Sequence, residues 1–580
     1  MKELLLGNAA VARGLYEAGV KVVSSYPGTP STEITEYAAK YDEMYCEWAP
    51  NEKVAAEVAA GASFGGARSF CGMKHVGLNV AADPVYTMSY IGVTGGVVIG
   101  VADDPGMHSS QNEQDSRNHA IGAKLPMLEP SDSAECCAFT KLAYEISEEY
   151  DTPVILRLTT RVAHSCGIVD TAEREEIPIK PYVKNPRKNV MLPANARPRH
   201  VYVEERMQKL ADWGSDCPVN RIEDNHSKIG VITSGIAYQY AKEALGDTVS
   251  YLKLGMVNPL PAELIKRFAQ MVETVYVIEE LDPVIEHFCK QNGVNVIGKE
   301  LFPICGEFSQ KLIKERMLGE TAAPVELEQE IPVRPPVMCC GCPHRGVFYI
   351  LKKEGVYVSG DIGCYTLGAS APLNAMDTNI CMGASVSVLH GYNKARGPEA
   401  EKKAVAVIGD STFIHSGITS LIDIAYNRSN SVVLILDNSI TGMTGHQENP
   451  TTGKTIRGDV TTAVDLEALC RAIGIDRVRV IDPYDLKETQ TVLREELAAD
   501  APSVIISRRP CALLKSVKHN PPLVVDSSKC VGCKICMGIG CPAIRMRDGK
   551  ASIDATQCVG CHVCVGLCGV KAIGEQEGKA

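Results

Sequence analysis

The chain has 580 residues, 45% of them hydrophobic and 22% charged, and its 59 lysines and arginines against 70 aspartates and glutamates leave a formal net charge of −11. That length supports about three to five domains, and the acidic balance without any basic block excludes nucleic acid as a partner. The N-terminus MKELLLGNAAVARGLYEAG matches neither a signal peptide nor an anchor, and the most apolar stretch, 90–102, is too short to span a membrane, so the 23 cysteines are expected in a reducing cytoplasm. Up to about residue 160, short apolar strands (21–25, 97–101, 153–158) alternate with helical stretches (52–66, 133–149), which predicts an α/β domain with a mostly parallel sheet. Residues 180–227, rich in Pro, Asn, Arg and Lys, read as an irregular connector. A smaller α/β unit follows, with strands 229–233, 249–254 and 274–279 and a helix from about Ala237. Polar, proline-rich sequence near 320–336 marks another boundary. A third α/β domain runs to about Ser516, and Pro521-Pro522 introduces a cysteine-rich tail. The expected segments are 1–180, 181–227, 228–325, 335–516 and 521–580.

Eight of the 23 cysteines lie in the last 51 residues, and C-V-G-C-x-x-C recurs 28 residues apart, from Cys530 and from Cys558. C-x2-C-x2-C wraps one loop around three iron corners of a cube, and the fourth ligand comes from elsewhere. The repeat resembles the two-cluster ferredoxins, in which the fourth cysteine of each run serves the other cluster. That likeness implies one [4Fe-4S] cluster on Cys530, Cys533, Cys536 and Cys568, and a second on Cys558, Cys561, Cys564 and Cys541. The first run has four residues rather than three between Cys536 and Cys541, an excess that Gly538 and Gly540 would absorb. The second run ends in Cys568-Gly569 rather than Cys-Pro. Zinc knuckles and a disulfide-rich tail are the alternatives. Both are disfavoured by eight thiols in a repeat with no paired histidines.

Residues 404–445 read strand, Gly409-Asp410, helix, strand, Asp437-Asn438. Asp410 and Asn438 therefore fall at the C-terminal ends of neighbouring strands, where doubly wound sheets bind ligands. Oxygen ligands from Asp410, Asn438 and a backbone carbonyl near Ile440 suit Mg2+ bridging to a diphosphate. The segment, with Gly409, Asp410, Ser411 and Asn438, resembles the G-D-G…N-N signature of thiamine diphosphate enzymes, departing from it at Ser411 and Asp437. Such enzymes need a carboxyl group on the aminopyrimidine ring, supplied by another domain. NEKVAAEVAAGASFGGARS resembles the pyrimidine-binding segment, with Glu52 nine residues before Gly61. Glu57 is the competing carboxylate, and a solvated amphipathic helix is the bland alternative. The turn Tyr26-Pro27-Gly28-Thr29-Pro30-Ser31 resembles the Y-P-x-T-P-S segment of 2-oxoacid:ferredoxin oxidoreductases, which places Thr29 next to the oxoacid.

Together these motifs resemble the 2-oxoacid:ferredoxin oxidoreductase superfamily over nearly the whole chain. The order of segments is that of the branch acting on indolepyruvate and other aryl pyruvates: pyrimidine domain, transketolase-C-like domain (Asn258-Pro259-Leu260-Pro261), diphosphate domain and two-[4Fe-4S] ferredoxin-like tail. The resemblance implies a cytoplasmic α/β multidomain enzyme with doubly wound parallel sheets. It implies thiamine diphosphate, Mg2+ and two [4Fe-4S] clusters as cofactors. The implied reaction decarboxylates an aryl pyruvate, transfers the aryl-acetyl group to coenzyme A and reduces ferredoxin. A separate gamma-type (beta) subunit completes the enzyme as a heterodimer, and neither nucleic acid nor membrane is a partner.

In related oxidoreductases a C-x2-C pair joins a later Gly-Cys and a cysteine near the domain's end in holding a further cluster, so the resemblance implies a candidate third set of Cys339 and Cys342, in C-C-G-C-P-H-R, with Gly363-Cys364 and Pro510-Cys511; the neighbouring Cys340 competes, and buried, redox-silent thiols are the alternative. His344 and Arg345 are expected to touch cofactor or subunit. In the polar loop 103–117, His108, Gln111, Asn112 and Arg117 are candidates for substrate or coenzyme A contact. Ala102-Asp103-Asp104 stands where pyruvate-using relatives place a carboxylate-binding arginine. His415 and His446 are expected to be structural. Two rival functions remain: a non-redox thiamine-dependent decarboxylase or carboligase, and an electron-transfer subunit with a degenerate thiamine site.

Overall fold

The computed structural model describes residues 1–321, 323 and 327–576. The expected end of the transketolase-C-like segment at 325 and the last four residues of the tail lie outside them. The chain divides into two compact units, Met1–Glu328 and Gln329–Ala580.

Among the described residues the first unit carries thirteen strands: β1 (Lys2–Leu6), β2 (Val22–Ser25), β3 (Tyr45–Trp48), β4 (Ser69–Lys74), β5 (Val97–Asp103), β6 (Met127–Leu128), β7 (Val154–Thr159), β8 (Cys166–Asp170), β9 (Arg221–Glu223), β10 (Ile229–Ser234), β11 (Ser250–Leu254), β12 (Met256–Asn258) and β13 (Thr274–Ile278). Seven form one sheet in the order β12-β6-β7-β5-β4-β2-β3, parallel except for β12. Every residue of β4, β5 and β7 is buried, as expected of parallel strands covered on both faces. A second sheet runs β13-β10-β11-β9, and β1 pairs antiparallel with β8. The two larger sheets share one core, in which Ala55, Cys71 and Ile99 pack in the same cluster as Ile232, Leu254 and Leu264. β12 bridges them: it follows β11 of the second sheet in the chain and forms an edge of the first by pairing with β6.

The expected irregular connector is corrected: Pro193–Gly214 is a 22-residue helix. Its prolines obscured it, with Pro193 at the tolerated first position and Pro198 inside. Its buried face, Val203, Arg206, Leu210 and Gly214, has helical spacing but only two apolar residues. Arg206 makes up the difference by donating to the carbonyls of Ser89 (3.1 Å) and Asp151 (3.0 Å), which fastens the helix to the first sheet's shell.

The second unit is built on a five-stranded parallel sheet: β14 (Tyr357–Ser359), β15 (Ala404–Gly409), β16 (Val432–Asp437), β17 (Arg477–Ile481) and β18 (Ser503–Arg508), in the order β14-β15-β16-β18-β17. β15 and β16 are fully buried, and apolar except for Asp437, the last residue of β16. The tail has two small antiparallel pairs, Val524–Val525 with Ile573–Gly574 and Ile544–Arg547 with Lys550–Ile553. No helix among the described residues is long and apolar enough to cross a membrane.

Candidate active site and cysteine centres

In the first unit the site residues gather where β2 and β4 end. Glu52 opens the helix Glu52–Phe64, capped by Asn51, whose side chain accepts from the Val54 amide at 2.9 Å. Glu52 is 4% exposed, whereas Glu57 faces solvent with Lys53 at 3.6 Å. Gly77 makes room for it: a Cβ there would lie 2.6 Å from Glu52 Oε1. Thr29 is half-buried in the turn after β2, and its carbonyl accepts from Ser109 Oγ at 3.4 Å.

In the second unit Asp410 and Asn438 stand just past β15 and β16, paired in parallel with Gly409 opposite Leu436. Gly409 is held against the Tyr365 ring, where a Cβ would come within 2.7 Å. Asp410 accepts from the Ser411 amide (2.8 Å), with Thr451 Oγ1 standing 3.4 Å from its other oxygen. Asn438 Oδ1 accepts from the Ile440 amide at 3.3 Å, and Ser411 Oγ from Thr441 Oγ1 at 3.0 Å. Burial, and then the charge of Asp437, push the Asp410 carboxyl up to about 7. Asp437 is itself paired with Arg508 at 2.7 Å, so that guanidinium is committed. A buried carboxylate held unwillingly neutral, flanked by amide and hydroxyl oxygens, is a donor set that a divalent cation would relieve. After Asp410 the helix passes through a π-turn, Phe413–Gly417, a feature often found beside functional sites.

Sequence reasoning missed Asp361, whose buried carboxylate accepts from the amides of Ile362 (2.8 Å), Gly383 (2.8 Å) and Ser385 (2.9 Å) and so ties the loops of this edge together. The signal was Gly360-Asp361 at the end of β14, the same pattern as Gly409-Asp410. It also missed the polar cluster of Thr441, Asn449 and Thr451, in which Thr451 donates to Asn449 Oδ1 at 2.7 Å.

Cys339, Cys342, Cys364 and Cys511 come together on this edge. Burial and then neighbouring thiolates raise Cys342 to about 12, with Cys364 and Cys339 acting on it, and Cys364 to about 11, with Cys511 and Cys339 acting on it. Cys511 donates its amide to the Asn438 carbonyl at 2.9 Å, and a Cβ on Gly442 would lie 3.5 Å from Cys364 Sγ and 3.7 Å from Asn438 Nδ2. This thiol set therefore adjoins the Asp410–Asn438 loops.

In the tail, Cys530, Cys533, Cys536 and Cys568 wall one void. Cys541, Cys558, Cys561 and Cys564 wall another, with Cys340 and Cys342 beside them. The repeat has a pseudo-twofold logic. The Ala551 amide donates to Cys530 Sγ (3.4 Å) and the Leu523 amide to Cys558 Sγ (3.4 Å), each 28 residues from its counterpart. Backbone amides from Ala551 and Gly532 hold the Cys530 thiol below its usual range, favouring thiolate. Gly532 (φ 69°) and Gly560 (φ 63°) take the left-handed region at equivalent places. Of the two glycines expected to absorb the extra residue, Gly540 has φ 68° and Gly538 has no positive φ. No group of three or more His, Cys, Asp or Glu among the described residues closes tightly enough for a single metal ion. Thiols spread around a void suit a polynuclear cluster instead.

Two expectations are corrected. Arg117 is fully buried and saturated, paired with Asp115 (2.6 Å) and Glu279 (2.6 Å) and donating to the carbonyls of Glu280 and Asp282, so it fastens the loop after β5 to the segment after β13 and meets no ligand. Arg345 grips the cluster tail, donating to the carbonyls of Cys339 (3.0 Å), Ile539 (3.2 Å) and Gly540 (2.5 Å). His344 is buried edge-on to Tyr365, and burial pushes it down to about 4. His108 is exposed and paired with Glu307 at 3.0 Å, and Gln111 and Asn112 are exposed. His415 is buried with Nδ1 2.6 Å from Ser416 Oγ, while His446 Nε2 lies 3.7 Å from Cys511 Sγ.

Residues 361–507 match the family described as thiamine pyrophosphate enzyme, C-terminal TPP binding domain. Residues 13–220 match pyruvate flavodoxin/ferredoxin oxidoreductase, thiamine diphosphate-binding. Thiamine diphosphate is thus the cofactor these segments serve. Among curated proteins, the indolepyruvate oxidoreductase subunit IorA of Pyrococcus horikoshii is 42% identical over 94% of this chain and 92% of its own length. Its counterpart from Archaeoglobus fulgidus is 40% identical over 99% and 97%. A solved 2-oxoglutarate:ferredoxin oxidoreductase from Magnetococcus marinus, with 2-oxoglutarate, coenzyme A and succinyl-CoA bound, is 19% identical over 55% of this chain and 65% of its own, with a TM-score of 0.46, a likeness too slight to argue from.

Proposed function

Since the chain belongs to the family of indolepyruvate oxidoreductase subunit IorA, among the 2-oxoacid:ferredoxin oxidoreductases, we propose that it is the catalytic subunit of an enzyme that oxidises indolepyruvate and other aryl pyruvates. One aryl pyruvate, one coenzyme A and two oxidised ferredoxins yield one aryl-acetyl-CoA, one CO2, two reduced ferredoxins and a proton. Bound thiamine diphosphate would supply the electron sink for decarboxylation, and iron–sulfur clusters held by the cysteines would supply an outlet for single electrons.

The chain's own residues divide the remaining work. Glu52, fixed at the first turn of its helix, would hold the aminopyrimidine and exchange a proton with it. Asp410, Asn438 and the Ile440 carbonyl would hold Mg2+ against the diphosphate, with Gly409 and Ser411 forming the turn that admits it. Thr29 would lie against the oxoacid. In a ferredoxin-like tail joined to the diphosphate domain, Cys530, Cys533, Cys536 and Cys568 would hold one [4Fe-4S] cluster and Cys541, Cys558, Cys561 and Cys564 a second, while Cys339, Cys342, Cys364 and Cys511 of the diphosphate domain would hold a third. The partners are a gamma-type (beta) subunit and ferredoxin, in the cytoplasm.

The observation that supports an oxidoreductase over a simple decarboxylase is the sorting of the eight tail thiols into two sets of four around separate voids. Non-redox thiamine enzymes have no use for an electron outlet. Anaerobic analysis of iron, sulfide and thiamine diphosphate in the chain, alone and with its partner subunit, tests the reading. About eight irons with bound thiamine diphosphate support it, and about twelve add the third cluster. Iron without thiamine diphosphate in the assembled complex overturns it in favour of an electron carrier.

A further inference from the structure

A 2-oxoacid brings a carboxylate into the site, and a buried carboxylate needs a cation or several donors. The buried or paired cations at the end of β4, on β7, just past β7 and in the segment that follows β5 narrow the choice. Arg117 is paired with Asp115 and Glu279, Arg157 with Asp103 and Glu129, and Arg161 with Glu307. Lys74, the last residue of β4, differs from them. It is 8% exposed, its ammonium donates to the Ser109 carbonyl at 2.8 Å, and among the described residues it has no carboxylate within 4.0 Å. Asp104, the nearest negative charge acting on it, is already engaged by the Ser109 amide, Ser110 Oγ and Thr160 Oγ1.

Lys74 also neighbours the segments that carry Thr29, assigned to the oxoacid, and Glu52, assigned to the aminopyrimidine. A Cβ on Gly28, the residue before Thr29, would meet Lys74 Cβ at 3.1 Å, and Ser109, which takes the lysine's hydrogen bond, donates its hydroxyl to the Thr29 carbonyl at 3.4 Å. Three residues on, Gly77 lies against Glu52. Burial lowers the Lys74 ammonium to about 8, as befits a cation short of an anion.

Resting on the oxoacid reading above, we propose that Lys74 is the anchor for the substrate's carboxylate, binding it with the ammonium donors that the protein leaves unfilled.

The test uses the assembled enzyme loaded with thiamine diphosphate and Mg2+. Equilibrium binding of 3-phenylpropionate is compared with that of its uncharged amide, 3-phenylpropanamide, by calorimetry. Wild type should prefer the acid. Lys74→Met should weaken the acid about 10–100-fold, the worth of a charged hydrogen bond, leave the amide within about twofold, and retain thiamine diphosphate. Lys74→Gln provides the same comparison should the methionine variant fail to assemble. Equal affinity of the variants and wild type for the acid, or an equal loss for acid and amide, overturns the anchor. Failure of wild type to bind thiamine diphosphate overturns the oxoacid reading itself, and the anchor with it.

Discussion

Asp410 is a buried carboxyl whose electrostatics a divalent cation would ease. Its carboxyl, raised from 3.8 to about 7 by burial and by Asp437, favours the folded state only while protonated. The metal-free chain should therefore be most stable below about pH 4 as far as this group goes, and lose on the order of 4 kcal/mol as pH climbs through about 7. Asp410→Asn removes the penalty. Its melting temperature without Mg2+ should exceed that of wild type at pH 8, with the difference fading towards pH 4, while Mg2+-dependent binding of thiamine diphosphate is lost. Coincident melting curves at pH 8 would show that Asp410 carries no such strain. Glu52 asks a different question, because its role is proton transfer. Glu52→Gln keeps the packing against Gly77, so thiamine diphosphate should still bind while kcat falls about 10²–10⁴-fold, the usual range for removing an acid–base group. Unchanged kcat would move the assignment elsewhere.

Whole elements explain what could and could not be read in advance. The helix Ser133–Glu149 and strands such as β5, β7 and β10 were legible because apolar periodicity and length agree. Short strands such as β3 and β12 have too few residues to show a period, and the buried face of the helix Pro193–Gly214 hides behind an arginine and a glycine. The tail was legible as a repeat because its cysteines recur at one spacing, and the fold matches them with paired glycines of left-handed backbone, Gly532 and Gly560. Gly560 is the sharper case. A Cβ there would lie 2.5 Å from the Pro521 carbonyl oxygen and 2.7 Å from Asn520 Cβ, whereas Gly566, six residues on, has nothing within 4 Å. Gly560→Ala should therefore lower iron content by about four per chain, the cluster of Cys558, Cys561 and Cys564 being lost. Gly566→Ala should leave iron near the wild-type value. Iron analysis beside electron paramagnetic resonance of the reduced protein separates the two clusters, and equal behaviour of the two alanines would deny that this backbone bend matters.

At the scale of the molecule, the second unit arranges its thiols in sequence from the diphosphate loops outward. Cys364 and Cys511 adjoin Asn438 and Gly442, Cys342 borders both that set and the void of Cys541, Cys558, Cys561 and Cys564, and the Cys530 set lies in the other half of the tail. Tyr484 and Arg345 secure the junction, the tyrosine hydroxyl donating to the Gly341 carbonyl at 2.5 Å and the guanidinium to the Gly540 carbonyl at 2.5 Å. Single-sequence reasoning supplied the four scattered cysteines only through family likeness, because their spacing, from Cys339 to Cys511, carries no local pattern; folding of the sheet edge is what unites them. A rigid junction between cofactor edge and tail suits one-electron transfer, which depends on fixed separations. Cys364→Ser should therefore cut iron by about four per chain while thiamine diphosphate stays bound. Ferredoxin reduction should fall steeply, and CO2 release in the absence of coenzyme A should persist. An unchanged iron count with normal ferredoxin reduction would mean that these thiols are structural and that electrons pass straight to the tail.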